Sequence, residues 1–214
     1  MAAFFIGIDL TSSPDKPAAG LSIDANLEPA SLVFLKEDEE IIAWAENYNP
    51  GIIAIDAPLG LPSGLCCLEE SCPCQPISSQ KGRSCERELA KQGMPCYFTT
   101  KRSIIKQMVY RGIRLRKELE GRGHQVIEVY PYASKVRLFG KPVPSKFSPQ
   151  GLIFLKTHLA ALLPPLAPRV AEFNHDLCDA AIAAYTAYLH SRGRTRSLGI
   201  PEEGVICLPE FSLA

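Results

Sequence analysis

Three carboxylates stand where a charge is costly. Asp9 closes the run FFIGID, Asp56 closes GIIAID, and Glu128 sits inside VIEVYP; each run reads as a buried strand. An ionised group in such surroundings is expensive unless something pairs with it. Two more acids, Asp176 and Asp179, are three residues apart in NHDLCDAAIAAYTAYLHSRG, a spacing that sets both on one side of a helix's first turn. Ala180, Ala183 and Ala187 continue that stripe, small enough to let the helix lie close against a sheet. Crowded carboxylates repel one another, and desolvation adds to the cost. A hard divalent cation, Mg²⁺ or Mn²⁺, relieves both. One or two such ions can activate water for attack on a phosphodiester and stabilise the leaving oxygen. The pattern therefore predicts a catalytic set of Asp9, Asp56, Glu128, Asp176 and Asp179, with Asp9, Asp56 and Asp179 as the metal ligands. Each acid also has a plainer reading. Asp24 also follows a strand-like run and is assigned no role, Asp176 has the alternative of a helix-start residue, and Glu128 has the alternative of an ion pair with a basic helix.

Convergence of these acids depends on the elements that carry them. FFIGID, LSID and SLVFLK read as an opening meander of strands, followed by a helix over EDEEIIAWAENYN with acids in its first turn. The isoleucine-rich run ending at Asp56 has the continuous apolar character of a central strand covered on both faces. A long connection rich in Gly, Pro, Ser and Cys follows, then a short helix over RSCERELAKQG. Next comes an amphipathic helix over KRSIIKQMVYRGIRLRKELEGRG, its inner face read as Ile104, Ile105, Met108, Val109, Ile113 and Leu119. The strand around Glu128 stops at Pro131. Helices then start at the Ser-Pro of SPQGLIFLKTHLAALLPP and at Asn174, and GVICLP can close the chain as a strand. Strands alternating with helices in this order predict an α/β layer fold around a mixed sheet, whose ligands gather at the carboxyl ends of parallel strands.

At 214 residues with 46% hydrophobic and 21% charged residues, the chain has the make-up of one folded domain over 1–214. No apolar run approaches a membrane span, and MAAFFIGIDL lacks the basic region and cleavage site of a secretory signal, so a cytoplasmic location is expected. Net charge is zero, so any nucleic-acid partner must be met by local charge. From 101 to 122 there are eight Lys and Arg against two Glu. Lys101, Arg102 and Lys106 of this stretch are candidate phosphate contacts, alongside a solvated helix face as the ordinary reading. His175 borders the acid pair and is either a proton shuttle or a local hydrogen-bond partner. Oligomeric state is open, a homodimer included.

The ordered set GIDLT, IAIDAPLGLP, RSCEREL, EVYP, HDLCDAAIAAYTA and LGIPEEGVICLP resembles the domain of unknown function 429 family, whose members are described as predicted nucleases with an RNase H-like fold. The likeness spans nearly the whole chain apart from the cysteine-rich insertion, 65–85. It implies a three-layer fold on a five-stranded mixed sheet, the first three strands antiparallel. It also implies divalent-metal-dependent phosphodiester hydrolysis on DNA or RNA. Asp9 falls on the first-strand aspartate of that superfamily and Asp56 on the fourth-strand acid, while Asp176 and Asp179 resemble the D-x-x-D pair of RuvC-type resolvases. Arg83 and Arg87 match the family's R-x-C-x-R pattern and are candidate contacts to a scissile phosphate. Two other readings stay open. GIDLTSS also resembles the phosphate loop of the actin and sugar-kinase superfamily, which would make the chain a non-hydrolytic nucleotide-binding module; or the insertion could dock a partner on an interaction scaffold.

The insertion concentrates cysteines at Cys66, Cys67, Cys72, Cys74 and Cys85. Four thiolates from Cys66, Cys72, Cys74 and Cys85 would suit a structural zinc, against the alternatives of disulfides and plain thiols, since paired C-x₂₋₄-C knuckles are missing.

Overall fold

The computed structural model describes residues 3–13 and 15–210. β1 (Phe4–Asp9), β2 (Ala18–Ile23) and β3 (Pro29–Leu35) form the antiparallel meander that their apolar runs predict. Between the last two, Asp24 makes a turn, its carboxylate accepting from the backbone N–H groups of Asn26 and Glu28. α1 (Asp38–Glu46) returns the chain to β4 (Pro50–Asp56), which runs parallel to β1. The long connection then carries α2 (Ser84–Lys91) and α3 (Lys106–Gly121) before β5 (Val126–Val129), parallel to β4. α4 (Pro131–Phe139), α5 (Pro149–Leu162), the short α6 (Ala167–Val170) and α7 (His175–Ser191) follow. The chain ends on β6 (Thr195–Leu198) and β7 (Ile206–Pro209). Asn174 caps α7 as expected, accepting from the Leu177 N–H, and Ser148 caps α5 through the Gly151 N–H.

The sheet has seven strands in the order β3-β2-β1-β4-β5-β7-β6, not the five that the family resemblance implies. β7 extends the parallel part beyond β5, and β6 closes the edge antiparallel to it. The sequence of β6, TRSL, hides it: a four-residue edge strand with exposed polar positions carries no apolar run. α4 is equally hidden, since Pro131 reads as a strand stop and also serves as a helix's first residue. In α3 the inward face is Val109, Gly112, Leu115 and Leu119, so the observed stripe is rotated from the expected one, and Ile104 lies exposed ahead of the helix.

Strand alternation sorts the interior into two layers. Phe5, Ala19, Leu21, Ile52, Ala54, Ile127 and Val129 face one side of the sheet, under α5, α6 and α7. Ile6, Ile8, Ile53 and Ile55 face the other, against α1 and α3. By the same parity Asp9 and Asp56 project toward α7, while Glu128, between Ile127 and Val129, projects to the opposite side.

Gly7 sets how close α7 can come. A Cβ at that position would stand 2.1 Å from the Ala180 carbonyl oxygen and 2.2 Å from the Ala184 nitrogen. Both are backbone atoms and cannot swing aside. Ala180, Ala183 and Ala187 are fully buried, as the small-residue stripe predicts, and Ala180 and Ala183 lie at this contact. Gly7→Ala should cost roughly 1–3 kcal/mol by overpacking, read as a lower denaturant midpoint. It should also displace the helix that carries Asp176 and Asp179.

Candidate metal-binding active site

Asp9 and Asp56 are register partners on adjacent parallel strands. Partners in that arrangement point to the same face, with strands about 4.8 Å apart. The first turn of α7 comes down over them, adding Asp179, which is 9% exposed, and Asp176. Asp176 is paired with Lys16 at 3.1 Å. Asp179 Oδ1 lies 2.5 Å from Lys135 Nζ, a charge contact off the hydrogen-bonding direction. Among the described residues, neither the Asp9 nor the Asp56 carboxylate receives a hydrogen bond or forms an ion pair. Burial raises the Asp9 carboxyl well above its ordinary range, and Asp56, Asp179 and Asp176 push it further, against Lys16. Asp56 is pushed up to about 8, first by burial and then by Asp179, with Lys135 and Lys146 opposing. Two inward-facing acids are thus left without a partner, beside two others that have lysines. His175 borders the group; burial holds its imidazole below the usual value.

Glu128 lies outside this cluster. Its register partner is Ile55, on the face away from α7. There its two oxygens accept from Arg83 at 2.7 and 2.6 Å, and one also accepts the Leu59 N–H at 2.7 Å. Arg83 is 1% exposed, and its Nε donates to Glu86 at 2.9 Å. Glu86 in turn accepts from Thr99. Arg83 therefore offers no group to a phosphate, and Glu128 is saturated without a cation. The Glu128 alternative of an ion pair holds, with an arginine from ahead of α2 in place of one from α3. Glu203 completes the set: its carboxylate accepts the N–H groups of Ser63 and Ser84 and so ties together both ends of the insertion. Arg87 leans on this network, its guanidinium donating to the Gly82 carbonyl and standing 4.0 Å from Glu203.

The basic stretch is also engaged. Lys101 donates to the Cys72 carbonyl, Arg102 pairs with Glu70 at 3.1 Å, and Lys106 pairs with Glu69 at 3.4 Å. Arg111 and Arg114 both grip Asp38 at 2.7 Å. These cations hold the insertion and α1 in place. The cations that do face the acids are Lys16, Lys135 and Lys146, and none stands out in the sequence. Lys135 has one signal: a lysine on the inward side of PYASKVRLF, where Ala133 and Leu138 are buried.

A family described as "Protein of unknown function (DUF429)" matches residues 7–204. The chain belongs to that family. The match takes in both halves of the acid site of this DUF429 chain, Asp9 at one end and Asp179 at the other. The comparison with curated proteins finds no match. Among solved structures the chain is similar to Thermus thermophilus RuvC, with a TM-score of 0.46, 14% identity, and coverage of 89% of this chain and 96% of that one. No helix is long and apolar enough to cross a membrane among the described residues.

The cysteines gather differently from the expectation. Cys66, Cys67, Cys72 and Cys74 bring their sulfurs within 4.8 Å of one another, a group that can hold a metal ion. Cys85 is not among them. It is buried in α2 against a small core with Leu89, Leu198 and Ile206, and Cys67 takes its place. Adjacent cysteines cannot both face one point on a strand or helix, but the irregular backbone of the insertion lets them.

Proposed function

We propose that this protein is a divalent-metal-dependent nuclease, with Asp9, Asp56 and Asp179 as ligands for Mg²⁺ or Mn²⁺ and Asp176 at the edge of the site. The observation that carries the reading is the pair Asp9–Asp56: two carboxylates in register on the same face of the sheet, mostly buried, with no hydrogen-bond donor to either among the described residues. All-oxygen donors with unrelieved negative charge fit a hard cation. When bound, such an ion activates water and offsets the charge that builds on a phosphodiester.

The chain's own residues do the rest. β1 and β4 fix the two aspartates through their backbone ladder, so that neither needs to reorganise when substrate arrives. Lys135 neutralises Asp179 in the metal-free chain, and with a cation held by the acids its ammonium would be free to meet a phosphate oxygen. Lys16 and Lys146 supply positive charge at the mouth. Beside Lys146, the Phe147 ring is 90% exposed and offers a face on which a base can stack. Asp56 and the Arg83–Glu128 pair are linked through the short segment Ala57–Leu59, so the buried network acts as the brace of the site and not as a part that touches substrate.

The test is cleavage of labelled four-way junction, flap and RNA–DNA hybrid substrates in Mn²⁺ and Mg²⁺. Cleavage that stops with EDTA and returns with excess metal is expected on at least one of them. A protein inactive across the panel, or active regardless of chelation, would overturn the reading.

A further inference from the structure

The insertion poses a stability problem that its side chains do not solve. From Ser63 to Lys81 the backbone has no helix or strand, and Leu68 is the only buried residue among them. A stretch of that length with one buried side chain cannot offset the entropy of ordering it by hydrophobic burial alone. Yet its path is defined in detail. The Leu68 N–H donates to the Tyr110 hydroxyl at 2.6 Å, that hydroxyl donates to Glu69 at 2.9 Å, and Lys101, Arg102 and Lys106 clip the rest to the start of α3.

At the centre of this loop stand the four sulfurs. Cys66 Sγ and Cys72 Sγ are 3.6 Å apart, and all four lie within 4.8 Å of one another. A tetrahedral zinc tetrathiolate has Zn–S distances near 2.3 Å, which makes each sulfur–sulfur edge about 3.8 Å. The widest pair would have to close by about 1 Å to meet that edge. Multinuclear iron–sulfur clusters place several atoms between their thiolates, and this spacing is too tight for them. Two further features fit thiolate ligands. The backbone N–H groups of Cys66 and Cys67 are directed at the Cys74 sulfur, and that of Glu69 at the Cys67 sulfur. Four thiolates around a dication leave a charge of about −2, and Lys101, Arg102 and Lys106 are gathered on the adjoining segment.

We propose that Cys66, Cys67, Cys72 and Cys74 bind one structural Zn²⁺ that orders the insertion. The ion closes a loop whose two stems are already fixed by Glu203 to Ser63 and Ser84. It is thereby a further anchor, at the centre of the loop, for the segment that leaves the sheet after Asp56. The site is independent of the nuclease reading, because none of its ligands touches the acid cluster.

Full-length protein purified without chelator is expected to contain one zinc per chain by elemental analysis. Replacement with Co²⁺ should give the strong thiolate-to-cobalt charge-transfer absorption of an S₄ site. Cys72→Ser should lose most of the metal, whereas Cys85→Ser and Asp9→Asn should keep it. Limited proteolysis should cut between residues 64 and 81 at least ten-fold faster once zinc is removed. Wild-type protein that binds neither Zn²⁺ nor Co²⁺ with its thiols reduced would overturn the proposal, and so would a Cys66–Cys72 disulfide in non-reduced mass spectra. Equal metal loss in Cys85→Ser and Cys72→Ser would overturn the ligand set. The cobalt titration uses unmutated protein, so it decides the matter even if the serine variants fail to fold.

Discussion

Asp9→Asn and Asp56→Asn should each abolish metal-dependent cleavage, with a loss of at least 10³-fold, while leaving the protein folded and, without metal, more stable at alkaline pH. The two halves of this expectation have one cause. Asp56 is raised from 3.8 to about 8, first by burial and then by Asp179. Between those values the folded chain holds a proton that the unfolded chain has released. Stability then falls as pH rises, because ionisation is easier in the unfolded state. In metal-free wild-type protein the contribution is whole below 3.8 and lost as the pH climbs through about 8. Asparagine cannot ionise and removes that loss; at one pKa unit per roughly 1.4 kcal/mol, even part of the shift is readily measured. Added Mn²⁺ reverses the trend in the wild type by binding the ionised form, so thermal midpoints at pH 8 should rise with Mn²⁺ in wild type and stay flat in Asp56→Asn. A variant that retained full cleavage would remove its aspartate from the metal site. A wild type whose midpoint did not fall between pH 6 and 9 without metal would show that the pair ionises without strain.

The second large effect is expected at Arg83, and it is a loss of fold. Arg83→Ala strands Glu128 and Glu86, both nearly fully buried, without their shared guanidinium. Removing one partner of a buried ion network typically costs about 3–5 kcal/mol, enough to unfold a marginal domain. Arg83→Lys should recover little, since one ammonium cannot reproduce two parallel contacts to Glu128 plus one to Glu86. The double variant Arg83→Met with Glu128→Gln should recover more than Arg83→Ala, because it no longer buries an unpaired charge at β5. Urea midpoints for these variants decide between this bracing role and a surface role in substrate binding: a surface arginine would change substrate affinity and leave the midpoint where it was.

Arg83 and Glu128 also mark where linear reading stops. Each looks functional in the sequence: an acid in a strand, and an arginine in a patterned R-x-C-x-R run. The structure joins them 45 positions apart into a salt bridge. That pairing follows from strand parity. Glu128 differs from Asp56 by which side of the sheet it faces, and parity becomes meaningful only after the register Ile55↔Glu128 is set. The basic stretch teaches the same lesson. Its charge is legible, but its partners Glu69, Glu70 and Asp38 come from distant segments that folding brings to it.

What neighbouring residues could specify was legible in the linear chain: the strands ending at Asp9 and Asp56, the helix after Asn174 with its alanine stripe, and the caps that start α5 and α7. These depend on side-chain spacing, on short-range hydrogen bonding and on strong periodicity, all written in adjacent positions. Long-range packing alone settled which acids face α7 and which are bound up as braces, that Cys67 and not Cys85 joins the thiol cluster, and that β6 closes the sheet beyond β7. Those outcomes turn on register, on strand face and on which distant partner reaches a buried charge first. None of these is a property of a segment taken alone, because the cost of burying a charge is set by whatever the rest of the chain places beside it.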